Sequence, residues 1–362
     1  MQLHWDIFCR VIDNHGDIGV CWRLATGLTG RGERVRLWVD DASALQWMAP
    51  AGAPGVELRA WTPKLALAGV PVGDVLVEAF GCDIDPDFVA AFAAKATASG
   101  QPGLWLNLEY LSAEAYVERC HGLPSPVMSG AGTALRKYFF YPGFTEATGG
   151  LLREPDLALR QTAFDRRVWL NRMTNDFRGE RLVSLFCYDP PALEELLTQF
   201  SRGPAATRLL VTAGRATSAV QACIGSKNAA GPAWNKEGKL LVSYLPLLSQ
   251  HEFDHLLWSC DLNFVRGEDS LVRALWADRP FVWQPYPQAD DAHQGKLEAF
   301  LDMLAAPSSL RSFHRAWNSV DLTPLPAIAL AEWQKTATMA RSRLLAQDDL
   351  VTRLLHFVQK NR

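Results

Sequence analysis

Apolar residues fall in short runs that alternate with stretches at helical spacing, and this alternation occurs twice along the chain. In the first half, "WDIFCRV", "RVRLWVD", "VELRAW", "DVLVEAF" and "GLWLNLE" read as strands. "GVCWRLATGLTGRG" has apolar residues at helical spacing and stops at Gly30 and Gly32; "DPDFVAAFAAKA" is a second helix. The second alternation starts near Arg181. "RLVSLFCY", "RLLVT", "KLLVSY", "DLNFVRG" and "PFVWQ" are its strands. "PPALEELLTQF" is a helix with proline in its first turn, and further helices are expected near Thr217–Ile224, Gln250–Ser259, Asp269–Ala277 and Asp290–Leu304. From Ala327 onward the pattern is helical. Between the two halves, Glu109 to about Arg153 is rich in Gly, Pro, Ser and aromatics and reads as an irregular stretch, either functional or a solvated excursion between domains.

Two successive β/α alternations predict two parallel sheets with helices on both faces. The chain has 362 residues, enough for two domains. The boundaries read as 1–152 and 178–325, with 153–177 and 326–362 as linker and C-terminal helices. In such sheets ligands bind beyond the carboxyl ends of the strands, so chemistry is sought where strands turn into helices.

Composition narrows the classes. The chain is 48% hydrophobic and 21% charged, with a formal net charge of −3, which gives no electrostatic footprint for nucleic acid. No signal sequence or membrane-length apolar run is read. The seven cysteines are scattered with no C-x-x-C pair, as expected of free thiols in a reducing compartment, with the cytoplasm as default.

Three strand-to-helix junctions carry candidate chemistry. In "IDNHGDIG", Asp13 and Asp17 flank Asn14, His15 and Gly16. The Gly16-Asp17-Ile18-Gly19 turn lets backbone amides approach a ligand. The acids would act as bases or bind a hydroxyl, or Asp17 would only cap the helix. In "FVRGEDS", Arg266 and Gly267 end a strand, and Glu268, Asp269 and Ser270 open a helix. Its free N–H groups and dipole suit a diphosphate, although the same residue types serve as ordinary caps. "HEFDH" (His251–His255) matches a zinc-protease pattern, but no third ligand follows it and a buried strand comes next, so no metal is expected there.

The blocks "IFCRVIDNHGDIGVCWRLA", "NLEYLSAEAYVERCHGLPSP", "KYFFYPGFTEATGGLLRE" and "FVRGEDSLVRALWADRPFVWQ" resemble the EarP family, protein-arginine rhamnosyltransferases acting on bacterial translation elongation factor P. The resemblance runs from Trp5 to about Leu350. It implies a GT-B fold, two Rossmann-like domains with parallel sheets facing a central cleft. It also implies a dTDP-β-L-rhamnose donor, an acceptor arginine on the N-terminal domain of elongation factor P, inversion at the anomeric carbon, and no metal or other cofactor. Carried over by position, Asp17 matches the essential acid and candidate base, Asp13 its second acid, and Glu268 an acid of the donor site. Asn14, Gly16, Ile18 and Gly19 fall in the substrate loop. Arg266, Gly267, Asp269 and Ser270 match diphosphate positions. Phe186, Tyr188 and Gln250 match positions around thymidine, with Leu245 and Phe253 in the base pocket. His15 stands where many relatives have an aromatic such as Phe. Two other readings are a GT-B enzyme with another donor or acceptor, and a non-catalytic module that binds a nucleotide sugar or the factor.

Overall fold

The computed structural model describes residues 2–12, 15–62, 70–174, 176–231, 233–288, 291–321 and 323–362. The chain divides into two compact units, residues 1–155 with 345–362, and residues 156–344.

Among the described residues the first unit holds six parallel strands: β1 (His4–Cys9), β2 (Arg34–Val39), β3 (Val56–Ala60), β4 (Val75–Ala79), β5 (Leu104–Leu108) and β6 (Arg136–Phe140). Their order across the sheet is β3-β2-β1-β4-β5-β6, so the winding reverses between β1 and β4. A crevice for ligand opens at the carboxyl ends of strands at such a reversal. The five predicted strands are present, and β6 is a sixth, lying inside the stretch read as irregular. Helix Gly16–Thr29 buries Ile18, Cys21, Leu24, Ala25 and Leu28 against β1 and β2. The glycine stop signal operates at two points: Gly30 caps the helix in helical conformation, and Gly32, at φ +88°, makes the reversal into β2.

The C-terminal helix Leu350–Asn361 belongs to this unit. Leu350, Val351, Leu354 and Val358 enter the core beneath Gly16–Thr29. Asp349 caps the helix through the amides of Val351 and Thr352, and it also pairs with Arg31 at 2.7 Å. Arg353 reaches back to the carbonyls of Thr145 and Thr148 at 2.6 and 2.7 Å, anchoring the Gly- and Pro-rich stretch after β6. Gly27 gives the two helices room, since a Cβ there would lie 2.8 Å from Val351 Cγ2. Gly27→Ala is expected to lower stability by about 1–2 kcal/mol: overpacking costs about 1–3 kcal/mol, partly offset by about 1 kcal/mol of helix propensity. Chemical denaturation checks this, and a more stable variant would refute the close fit.

Among the described residues the second unit has five parallel strands: β7 (Arg181–Leu185), β8 (Thr207–Val211), β9 (Leu240–Tyr244), β10 (Leu262–Arg266) and β11 (Phe281–Gln284). The order is β11-β10-β7-β8-β9, so here the reversal falls between β7 and β10. Helices Leu157–Ala163, Arg166–Thr174 and Leu330–Leu345 pack with this unit. The 153–177 segment read from sequence as a linker thus contributes Trp169 and Leu170 to a core with Leu182, Leu210 and Leu256. The 326–362 segment divides between the units at Leu345. A helix left unassigned from the sequence, Ser308–Trp317, lies along β11. The helix expected at Asp290–Leu304 is Ala292–Met303; Asp290 lies outside the described residues. All seven cysteines are free thiols.

Candidate functional site

In the first unit the chain leaves β1 at Cys9 and re-enters regular structure at Gly16, at the carboxyl end of the sheet beside the β1/β4 reversal. Asp13 and Asn14 lie outside the described residues. His15 takes the N-cap position with no side-chain capping bond, and its exposed ring meets Trp47 edge-on at 5.7 Å. Asp17 is therefore not the cap but the second helical residue. It sits in the first turn, where the helix dipole favours a carboxylate. Tyr110, two residues past the end of β5, directs its hydroxyl to Asp17 Oδ2 at 3.5 Å. Gly16 is exposed, Gly19 is buried, and the Ile18 side chain is wholly in the core, so any ligand contact of Ile18 is through its backbone.

The sequence pattern did not single out Phe80 or Tyr110, which the fold brings to this edge. Phe80 follows β4 with φ at +58°, an uncommon conformation for a residue with a bulky side chain. Its amide donates to the Leu108 carbonyl at 2.7 Å, and its ring stacks on Tyr110 at 4.5 Å. A non-glycine residue held at positive φ costs about 1–3 kcal/mol and is found where surrounding structure enforces it, commonly at functional sites. Behind the stack, Glu78 pairs with Lys137 at 2.9 Å, and Asn107 donates to Glu109 at 2.8 Å. Burial raises the carboxyl pKa of both Glu78 and Glu109. An exposed aromatic face beside a carboxylate is a chemistry that suits a planar cation such as guanidinium.

In the second unit the β7/β10 reversal carries the other cluster. β10 ends at Arg266, which is extended and forms the N-cap of helix Gly267–Ala277. Gly267 has φ +65°, and a Cβ there would lie 3.3 Å from Tyr188 Oη, so glycine answers both the backbone and the space. The Arg266 guanidinium lies between two rings that follow β7, 4.4 Å from the centre of Phe186 and 4.6 Å from that of Tyr188. It also donates to the Cys187 carbonyl at 3.0 Å. Burial lowers its pKa from the ordinary value, while guanidinium remains charged in proteins. Burial pushes Tyr188 up to about 12, so its hydroxyl stays a donor. Ser270 binds back to the Arg266 backbone, accepting from its amide at 3.1 Å and donating to its carbonyl. Glu268 forms an ion pair with Lys296. Asp269, in the first helical turn, is half-buried.

Residues assigned to a base pocket converge here in part. Phe253 meets Phe186 edge-on at 5.4 Å, and Gln250 is the buried first residue of helix Gln250–Ser259. Leu245 is in the core with Leu182 and Leu256 rather than at an exposed surface. Residues missed from sequence also contribute. Gln284 accepts from the Tyr188 amide at 2.9 Å, Tyr286 meets Tyr188 edge-on, and Trp283 donates to the Gly267 carbonyl. The His251–His255 motif has structural partners: Glu252 accepts from Trp169 and Arg172, Asp254 is buried against Arg273, and His255 stacks on Phe164.

Among the described residues no helix is long and apolar enough to cross a membrane. The model of the family described as elongation-factor P (EF-P) rhamnosyltransferase EarP matches residues 5–359. A protein-arginine rhamnosyltransferase of Pseudomonas putida is 43% identical over 386 residues, covering all of both chains. One of Pseudomonas aeruginosa is 40% identical over 381 residues, covering 98% of each. A solved structure on EarP-mediated arginine glycosylation of translation elongation factor EF-P aligns over 100% of both chains at 30% identity, with a TM-score of 0.66. The calicheamicin glycosyltransferase CalG4 shares the fold, at 13% identity and a TM-score of 0.50 over 99% of each chain. Two wound parallel sheets and a family match across nearly the whole length together mean that this chain belongs to the EarP family, and that it is a glycosyltransferase, a protein-arginine rhamnosyltransferase, of the GT-B fold.

Proposed function

We propose that the enzyme transfers L-rhamnose from dTDP-β-L-rhamnose to one arginine side chain on the N-terminal domain of translation elongation factor P, in the cytoplasm, with inversion at the anomeric carbon. The observation that carries the donor half is the start of helix Gly267–Ala277. There a half-buried guanidinium lies between Phe186 and Tyr188, beside backbone amides at a helix N-terminus. That combination suits a diphosphate attached to an aromatic base. Phe186, Tyr188, Gln250 and Phe253 are assigned to the thymidine end, with Leu245, whose side chain is in the core, assigned there through its backbone only, and Arg266, Gly267, Asp269 and Ser270 to the diphosphate. The acceptor half is assigned to the first unit, to Asp17 with Asp13 and to the loop residues Asn14, Gly16, Ile18 and Gly19.

Arginine is a poor nucleophile because its lone pairs are delocalised and its pKa exceeds about 12. A carboxylate with an ordinary pKa near ~4 does not remove a guanidinium proton beforehand. It orients the group by charge-assisted hydrogen bonds and accepts the proton as the bond forms. In this reading a guanidinium nitrogen attacks the anomeric carbon and the bond from that carbon to the phosphate oxygen breaks. dTDP leaves with the electron pair, and the nitrogen's proton passes to Asp17. The leaving diphosphate is stabilised by Arg266 and the amides around Glu268–Ser270. These supply the positive charge that a divalent metal provides elsewhere, so the reaction is proposed to need no metal. Glu268 holds either donor hydroxyls or the acceptor guanidinium.

The test is incubation with elongation factor P and dTDP-rhamnose, followed by intact-mass analysis and mapping of the modified residue. One added deoxyhexose on a single arginine is expected, with equal yield in excess chelator. Transfer only from another nucleotide sugar would refute the donor, and modification of a different acceptor would refute the partner. Loss in chelator that is restored by a divalent metal would refute the metal-free step.

A further inference from the structure

Trp283, in β11, is 2% exposed, and by pattern it is an ordinary core residue. Its polar groups are nevertheless fixed on every side. β11 is the edge of its sheet, so its outward backbone groups need partners from elsewhere. The Trp283 amide donates to His314 Nε2 at 3.0 Å, and its carbonyl accepts from Asn318 Nδ2 at 3.0 Å. Since Nε2 accepts, His314 carries its proton on Nδ1, facing the Leu310 carbonyl at 3.0 Å. Burial holds the His314 pKa down to about 4, so this arrangement persists at neutral pH. The indole packs edge-on against Phe300 at 5.0 Å and donates from Nε1 to the Gly267 carbonyl at 2.7 Å.

That last bond reaches the helix start. In a trans peptide, C=O and the next N–H point in opposite directions. Fixing the Gly267 carbonyl toward the indole fixes the Glu268 N–H in the opposite direction. The indole adds to the hold the helix itself has on this first carbonyl, at a residue, Gly267, whose φ of +65° and missing Cβ leave its backbone less restricted than any other residue's. We propose that Trp283 is a positioning residue for the donor's diphosphate: through the Gly267 carbonyl it aims the amides beside Arg266, with His314 and Asn318 holding Trp283 itself. The inference rests on the donor reading above.

Two ligands that differ only in the diphosphate test it. On the full chain, Trp283→Phe keeps an aromatic ring and removes the N–H. Calorimetry is expected to show dTDP binding weakened about fivefold to tenfold, the worth of one hydrogen bond, with thymidine binding unchanged. kcat/KM for dTDP-rhamnose should fall by at least the same factor, with part of the loss in kcat, because the same amides stabilise the leaving diphosphate. Trp283→benzothienylalanine, which keeps the bicyclic shape and lacks the donor, should reproduce the split, and it serves if the phenylalanine variant folds poorly. If dTDP and thymidine weaken together, or neither weakens, the positioning role is overturned. If the unaltered chain binds dTDP no better than thymidine, the diphosphate reading itself fails, and the role fails with it.

Discussion

Asp17→Asn is expected to lower kcat by about 10²–10⁴-fold, the range contributed by a positioned proton acceptor. The substitution is nearly isosteric, and the amide oxygen still accepts from the Tyr110 hydroxyl, so the local geometry survives. What is lost is the negative charge and the basic site. A neutral amide neither attracts the guanidinium nor takes its proton. Because the donor residues lie in the second unit, dTDP binding should be unchanged, and so should the thermal transition. Steady-state kinetics with saturating elongation factor P, together with dTDP calorimetry, separate these quantities. Turnover within about tenfold of the parent would remove Asp17 from the proton transfer, because that is less than the lower bound for acid–base assistance.

Asp17 also shows where sequence reasoning stops. Its position at a strand-to-helix junction is legible, because the apolar run of β1 and the helical spacing after Gly16 bracket it. Whether it caps the helix is not legible: spacing allows it, and the structure puts His15 at the cap. Tyr110 and Phe80 arrive from β5 and β4, and that β4 lies beside β1 with β5 next to it is a fact of strand order; Phe80 has no glycine to announce its positive φ. The strand β6 escaped because Arg136 and Lys137 begin it inside a Gly- and Pro-rich stretch, which masks a short strand whose side chains are only partly buried. The spacing in Ser308–Trp317 is amphipathic, but nothing in the sequence says that His314 meets an edge-strand amide. The closing helix was legible as a helix, but its return to the first unit depends on Val351 finding Gly27, a contact more than 300 residues apart in sequence. Periodicity gives the faces of elements; partners across the fold are set by topology.

The largest stability effect is expected at Asp6. Asp6 in β1 and Arg36 in β2 are register partners, both at most 2% exposed. The carboxylate accepts from Arg36 Nε at 2.6 Å and Nη2 at 3.1 Å, from Trp38 Nε1 at 2.9 Å and from the Gly73 amide at 2.6 Å. Arg36 also donates to the Pro71 carbonyl at 2.7 Å. The pair thus joins β1, β2 and the entry to β4, and β1 and β4 flank the reversal beside Asp17. Gly73 is required for the closeness, since a Cβ there would lie 2.5 Å from the His4 carbonyl oxygen. Asp6→Ala strands a buried guanidinium and two donors, and removal of one partner of a buried pair costs about 3–5 kcal/mol. With two units, global melting mixes transitions, so amide exchange on peptides spanning β1 to β4 is the proper readout. Replacing both partners, Asp6→Leu with Arg36→Met, should recover much of the loss, because the penalty lies in the unpaired charge rather than in the absence of attraction. The exposed pair Glu57–Arg59 on β3 supplies the contrast: Glu57→Ala should change stability by less than about 1 kcal/mol. If Asp6→Ala altered exchange as little as Glu57→Ala does, the buried network would not be what holds β1 between its neighbours. The rigidity of the Asp17 junction would then have to come from the apolar face of helix Gly16–Thr29 alone.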